Sequence, residues 1–168
     1  MDSEWMGRYR PLVASLVRHT NVINRAMSNK EEVSDGIFLN PNEWQVLEYI
    51  VEHRDNTFNM IDISRQLGIP QSSFSKIVKT LKQYQLADKY IAENNRKNII
   101  LRPTDKAIKV YKARTDSVTR KRFEAFFECL KDLPDEAITI FTNALDTLNR
   151  TLENEESSSK SLKLIKQE

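Results

Sequence analysis

The chain has 168 residues, the length of one domain or of one domain with arms that pair two copies. It is 39% hydrophobic and 30% charged, with a net charge of +2, and its three glycines exclude a Gly-rich Rossmann or P-loop nucleotide site. The sequence contains no run of about 18 apolar residues, so we expect no membrane-spanning helix. Its start, Met1–Glu4, is acidic, so we expect no secretory signal and a cytoplasmic location.

The first part of the chain predicts two helices separated by a loop. Apolar residues recur at steps of four and three over residues 11–28, which predicts a helix with one apolar face. Its members are Leu12, Leu16, His19, Ile23 and Ala26. The polar stretch 28–35, followed by Gly36, predicts a loop. Asn40, Pro41 and Glu43 then form a capping-box start for a second helix.

The middle of the chain predicts two short helices followed by a hairpin. Asn59 caps the first helix, Gly68 supplies its C-terminal turn, and Pro70 starts the second. The second helix turns Phe74, Ile77, Val78 and Leu81 inward and places Ser72, Lys76, Lys79 and Gln83 on another face. After Leu86, residues 89–93 and 98–102 predict two strands joined by a turn of Asn94, Asn95, Arg96 and Lys97.

The last part predicts two helices and a tail. Residues 104–130 contain neither glycine nor proline and predict one long helix. A second helix starts at Pro134 and carries an apolar stripe of Ile138, Phe141, Leu145, Leu148 and Leu152. From residue 154 onward we expect a polar, solvated tail.

Together these elements predict a winged helix-turn-helix that binds duplex DNA. Residues 59–102 hold eight Lys/Arg against three Asp/Glu, whereas the remainder holds 18 against 21, so the basic charge lies in the middle. The second short helix would enter the major groove and the hairpin tip would reach the backbone or the minor groove. The candidate contacts are Gln71, Ser72, Ser73, Ser75, Lys76 and Lys79 on the helix and Asn94, Asn95, Arg96 and Lys97 on the wing. Arg65 fits a phosphate contact or a structural ion pair equally well.

Residues from about Leu39 to Ala107 resemble the core of the MarR family of bacterial transcription regulators. The resemblance rests on Ile63–Ile69, on Gln71–Leu81, on Leu86 and on Asn94–Lys97, with Thr104–Ala107 beginning the next helix. It implies a homodimer in the bacterial cytosol that binds pseudo-palindromic DNA, usually as a repressor released by a small molecule or an oxidant. It also implies a mainly α fold with a small β-hairpin wing and dimerisation helices at both ends.

The resemblance divides the chain into four parts. These are an N-terminal dimerisation arm (1–38), the DNA-binding lobe (39–103), C-terminal dimerisation helices (104–153) and the tail (154–168). Two departures from the family pattern concern the wing. Asn95-Arg96-Lys97 stands where the family usually has Asp-Arg-Arg, and Ala107 stands where a glycine is usual. Without the acid, the ion pair that the resemblance implies for stiffening the wing is weakened, and Lys97 lacks the bidentate fork of an arginine.

Other residues have two interpretations each. Cys129 lies among Phe126, Phe127 and Leu130, which favours a buried, unreactive thiol over a redox sensor. His19 lies on an apolar helical stripe, which favours an interface residue over a ligand. His53 is most simply a residue at the C-terminal end of a helix. The aromatic residues Tyr9, Phe38, Trp44 and Tyr111 could line an effector pocket, but their spacing favours core positions.

One cysteine and two histidines are too few for a four-ligand zinc site in one chain, and no catalytic set is evident. We therefore expect no cofactor and no enzymatic activity. The alternative to DNA binding is a winged-helix module that docks other proteins. A continuous basic stripe from Lys76 to Arg96 favours DNA, whereas an apolar groove there would favour a protein partner.

Overall fold

Helices account for most of the chain, with two short β-hairpins between them. The computed structural model describes residues 4–27, 29–92 and 95–159. The chain divides into two units, with the boundary between Thr119 and Arg120. This architecture confirms the predicted mainly α fold with a small hairpin wing. In the described part of the chain, no helix is both long enough and apolar enough to span a bilayer.

The first unit contains most of the elements. It begins with a 3-10 turn, Glu4–Tyr9, and ends with a π-helical turn, Thr115–Thr119. Between them lie α1 (Arg10–Met27), β1 (Glu31–Ser34), β2 (Ile37–Leu39), α2 (Pro41–Glu52), α3 (Met60–Gln66), α4 (Gln71–Gln83), β3 (Ala87–Ala92), β4 (Asn95–Pro103) and α5 (Asp105–Arg114). The second unit contains α6 (Arg120–Leu130) and α7 (Asp135–Ser159).

The loop predicted over residues 28–35 is wrong for residues 31–34, which form strand β1. Strands β1 and β2 pair in an antiparallel hairpin, and Gly36 turns the chain between them at a φ of 69°. Val33, Ile37 and Leu39 are buried, so the hairpin contributes one apolar side to the core. Residue 28 lies outside the described residues. The run of acidic and polar residues hid a strand with a single apolar residue, Val33, which is buried.

The core of the first unit forms where α2 and α4 meet the strands. Asn40 and Glu43 form the predicted capping box at the start of α2, with both hydrogen bonds 2.9 Å long. Val46 and Leu47 of α2, and Phe74 and Val78 of α4, are at most 1% exposed. Burying each such side chain contributes about 1.5–3 kcal/mol. Helix α4 is therefore held by its inner face, which leaves its outer face available.

The long helix predicted over residues 104–130 is interrupted. Thr104 caps α5 by accepting a 3.1 Å hydrogen bond from the backbone N–H of Ala107. The α-helical pattern changes to a π-helical one over Thr115–Thr119, and α6 begins at Arg120. A π turn adds a residue to a helical turn, and no glycine or proline marks it here. Helix α7 starts after Pro134 as predicted and continues to Ser159, so residues 154–159 of the expected tail are helical.

Candidate nucleic-acid interface

The turn between α3 and α4 has the geometry that the sequence predicts. The Asn59 side chain accepts hydrogen bonds from the backbone N–H groups of Ile61 and Asp62, and the Asp62 carboxylate accepts one from the Asn59 N–H. At the other end of α3, Gly68 has a φ of 62°. The Gly68 N–H bonds to the Arg65 carbonyl and the N–H of Ile69 to the Ser64 carbonyl, which is a Schellman motif. This motif ends α3 tightly and lets α4 begin at Gln71.

The outer face of α4 is polar and basic. Phe74, Ile77, Val78 and Leu81 are buried, as predicted. At 100° per residue, four exposed side chains lie on the opposite side of the helix, namely Ser72, Lys76, Lys79 and Gln83. These four residues, which we call the outer face of α4, have the arrangement that a helix needs to present donors to a groove.

The other predicted contacts of α4 lie on its flanks. Gln71 and Ser75 line a cavity of about 220 Å³ that also borders Asn59, the capping residue of α3, and Ile99 of β4. Ser73 is exposed on the opposite flank. Neither Ser72 nor Ser73 caps the helix, because Pro70 occupies the cap position and no side chain accepts a capping hydrogen bond. Their hydroxyls make no hydrogen bond with any described residue, so they remain available to a partner.

The positive charges of α4 are not neutralised within the described part of the chain. The helix has no Asp or Glu, and none of Lys76, Lys79 and Lys82 forms an ion pair with a described residue. All three lysines are exposed. Arg65 on α3 is also exposed and has no ion-pair partner among the described residues. The structural ion pair considered for Arg65 is therefore not formed with any described residue.

The C-terminal end of α4 is joined to the start of α5. Gln85 has a φ of 58°, and the N–H of Leu86 donates to the Leu81 carbonyl over 2.8 Å, so a second Schellman motif ends this helix without a glycine. The Thr104 hydroxyl donates to the Gln85 carbonyl over 2.7 Å, and Lys106 Nζ donates to the Tyr84 carbonyl over 2.9 Å. These bonds fix the end of α4 relative to the exit of the wing.

The strands of the wing are longer than predicted, and β4 begins at Asn95, inside the segment predicted as a turn. Ala87 pairs with Pro103 and Ile91 with Ile99, and the next pair joins Ala92 to Asn95. Residues 96–98 therefore form a bulge on β4, because the ladder passes from residue 99 directly to residue 95. The first residues of strand β4 are thus Asn95, Arg96 and Lys97, which were predicted to lie in the turn. The structure does not describe their side chains, and Asn94 lies outside the described residues.

The base of the wing is attached to the segment between α2 and α3. Arg102 Nη1 donates to the Asn56 carbonyl over 2.6 Å and also to the Arg54 carbonyl. Ile100 forms an isolated antiparallel bridge with Asn59, the capping residue of α3. Leu101, between them, is buried. The sequence indicated no role for Arg102, because its acceptors lie more than forty residues away along the chain.

The four aromatic candidates do not form one pocket. Trp44 and Tyr111 pack against the core, with parallel rings 6.2 Å apart, and Arg114 lies over the Trp44 ring. Tyr111 donates a 2.6 Å hydrogen bond to Glu52, and burial together with that carboxylate raises the pKa of Tyr111 to about 12. The predicted core position is therefore confirmed for these two. It is wrong for Tyr9 and Phe38, which are 56% and 43% exposed.

The predicted burial of Cys129 is also wrong within a single chain. Cys129 is exposed on α6, as are Phe123, Phe126 and Phe127. Unit 2 contains too few elements to cover both sides of α6. In the first unit His19 is exposed on α1, whereas His53 caps α2 as predicted, with Nδ1 3.0 Å from the Tyr49 carbonyl.

Known proteins resemble this chain in sequence pattern and in fold. No curated protein sequence is significantly similar to it. The model of the MarR family matches residues 39–97, which span α2 to the start of β4. The structure is similar to that of the transcriptional regulator SlyA, with 16% identity and a TM-score of 0.60 over 83% of this chain and 95% of that one.

Structures with bound DNA are among those similar to this chain. Streptococcus pneumoniae FabT in complex with DNA has 15% identity and a TM-score of 0.55, over 88% of this chain and 96% of that one. The S. aureus MepR–DNA complex has 17% identity and a TM-score of 0.54, over 67% and 80%. At these identities the likeness establishes the fold, and the family model adds the sequence pattern of the lobe. Residues 39–97 match the model of the MarR family, and the chain has the winged helix-turn-helix fold of these structures.

Proposed function

We propose that this protein is a transcription regulator that binds duplex DNA as a homodimer on a pseudo-palindromic operator. In this proposal the outer face of α4 enters the major groove, and the wing contacts the backbone or the adjacent minor groove. Repression, with release by a small-molecule effector, is the finer part of the proposal and follows what the family resemblance implies. The protein would act in the bacterial cytosol.

The observation that carries the proposal is the uncompensated charge of α4. Lys76 and Lys79 lie on an exposed face directly opposite the buried side of the helix. A solvated lysine row on a protein surface is usually accompanied by acidic neighbours, but α4 has none. Ser72, one turn before Lys76, adds a small hydroxyl that allows close approach to a groove. DNA phosphates supply the negative charge that this face lacks.

The homodimer is supported by apolar surface that each unit leaves uncovered. In the first unit, α1 exposes Leu12, Val13, Val17, Val22 and Ile23. In the second unit, α6 and α7 expose Phe123, Phe126, Phe127, Ile140, Phe141, Leu148 and Leu152. Exposed apolar side chains in such numbers mark interaction surfaces, and we propose a second copy of the same chain as the partner of each surface.

The proposal is tested by selecting bound duplexes from a random pool with the purified protein. The parent protein should enrich one palindromic family of sequences. The double variant Lys76→Glu, Lys79→Glu should enrich none, because two added carboxylates on each outer face repel the phosphates. Both lysines are exposed, so the variant should fold as the parent does.

A matched control comes from α5. Lys109 and Lys112 are exposed and three residues apart, like Lys76 and Lys79. The double variant Lys109→Glu, Lys112→Glu changes the net charge equally and should still enrich the parent's sequence. If the α4 variant enriches the parental palindrome as well as the parent does, this face does not bind DNA. Protein docking by the same face would then be the better reading.

A further inference from the structure

The attachment of Arg102 to the loop before α3 has a consequence for how the wing meets DNA. One nitrogen, Nη1, donates to two main-chain carbonyls, those of Arg54 and Asn56. Both acceptors belong to residues 53–59, which connect α2 to α3. We propose that Arg102 is a positioning residue, one that contacts no DNA itself but fixes the direction in which the wing projects. This inference rests on the proposed function.

The wing depends on such an attachment because it is a two-stranded hairpin. Within the described residues, β3 and β4 form a sheet of their own. An isolated hairpin of two strands is at best marginally stable in water. Its base gains stability from the burial of Leu101 and from the bridge between Ile100 and Asn59. Arg102 adds the next contact along β4, so the base of the wing is held by three consecutive residues, Ile100, Leu101 and Arg102.

The chemistry of the contact suits a fixed attachment. The guanidinium group of arginine stays charged at all relevant pH values, and charged donors make stronger hydrogen bonds than neutral ones. Carbonyl oxygens of the main chain have little freedom to move once the loop is folded. A lysine at position 102 would keep the charge but would offer a flexible ammonium in place of the planar fork.

The length of the wing amplifies any movement at its base. The ladder runs four steps from Arg102 to the pair of Ala92 and Asn95, about 13 Å at roughly 3.3 Å per residue. A rotation of about 10° at the base would therefore displace the bulge at residues 96–98 by about 2.3 Å. Because hydrogen bonds weaken steeply beyond about 3.2 Å between donor and acceptor, a phosphate or minor-groove contact of Arg96 would be lost.

The inference is tested by a double-mutant cycle between Arg102→Ala and Arg96→Ala, measured as affinity for the preferred duplex. Each single change should weaken binding by about fivefold or more. If Arg102 acts through the wing, Arg96→Ala should cost almost nothing further in the Arg102→Ala background, because the contact is already lost. Arg54→Ala is the control, since it removes an exposed charge from the same loop but keeps the carbonyl that Arg102 binds.

Two results would overturn the inference. Strictly multiplicative losses would mean that Arg102 contacts DNA independently of the wing. Full affinity in Arg102→Lys would mean that charge alone suffices at this position.

A second measurement needs no DNA. Amide hydrogen exchange in the free protein should become faster in Arg102→Ala over residues 53–59 and 95–103 and stay unchanged over Gln71–Gln83. Unchanged exchange in both segments would show that Arg102 does not hold the wing. If the parent protein binds no duplex, the proposed function fails, whereas the exchange result by itself still decides whether Arg102 holds the wing.

Discussion

The salt dependence of DNA binding offers a quantitative test of the α4 lysines. Lys76 and Lys79 are exposed, and neither has an ion-pair partner among the described residues. Each is therefore free to replace one cation condensed on a phosphate. Removing either lysine by substitution with alanine should lower the number of cations that binding releases, without disturbing the buried side of the helix.

The expected size follows from the number of contacts. One lysine–phosphate contact contributes about 0.9 to the slope of log affinity against log salt concentration, and a homodimer carries each substitution twice. The slope of Lys76→Ala should therefore be smaller than that of the parent by about 1.8. Between about 50 and 200 mM salt, a fourfold change, the affinity ratio of parent to variant should shrink by about twelvefold.

Fluorescence anisotropy with a labelled duplex at several salt concentrations would measure these slopes. Lys112→Ala removes the same charge from the exposed side of α5 and should leave the slope unchanged. If Lys76→Ala and Lys79→Ala both keep the parental slope, neither lysine contacts a phosphate in the complex. A loss of affinity with an unchanged slope would instead indicate contact with a base edge.

Further predictions concern assembly and stability. Removing residues 134–168 should abolish the homodimer, as seen by light scattering, because it deletes the apolar stripe of α7; a soluble dimer after this truncation would refute the assignment. Asn59→Ala should lower the free energy of unfolding in urea by about 1 kcal/mol, because the capping box of α3 is lost; an unchanged midpoint would contradict this. Gln85→Gly should raise it by about 1 kcal/mol, because a glycine adopts the φ of 58° without strain; a destabilised variant would show that the Gln85 side chain matters more than its backbone. Because folding raises the pKa of Tyr111 to about 12, the protonated phenol stabilises the fold; this stabilisation is complete below pH 10 and is lost as the pH rises toward about 12. Tyr111→Phe should remove this contribution to alkaline destabilisation, and an alkaline unfolding curve unchanged by the substitution would contradict it.

The sequence predicted the helix-turn-helix because its signals are local. Asn40 and Asn59 cap the helices that follow them, and Gly68 and Pro70 bound the turn, each by chemistry that acts within a few residues. The polarity of α4 followed from the helical period alone. These elements form the part of the lobe that determines where the outer face lies.

The features that the sequence did not predict depend on distant contacts. The β1–β2 hairpin was missed because its buried residues, such as Val33, stand among acidic ones. The exposure of Cys129 could not be inferred from its apolar neighbours, because these are exposed too. The attachment of Arg102 joins residues 46 positions apart, and no local pattern marks it.

The acceptors that Arg102 uses are carbonyl oxygens, and every amino acid supplies one. Substitutions at positions 54 and 56 would therefore leave the attachment intact as long as the loop keeps its path, whereas position 102 itself tolerates little change. The loop can vary its own charge and size while the wing stays in place. Related regulators could in this way acquire different surfaces beside the wing without altering the direction in which it projects.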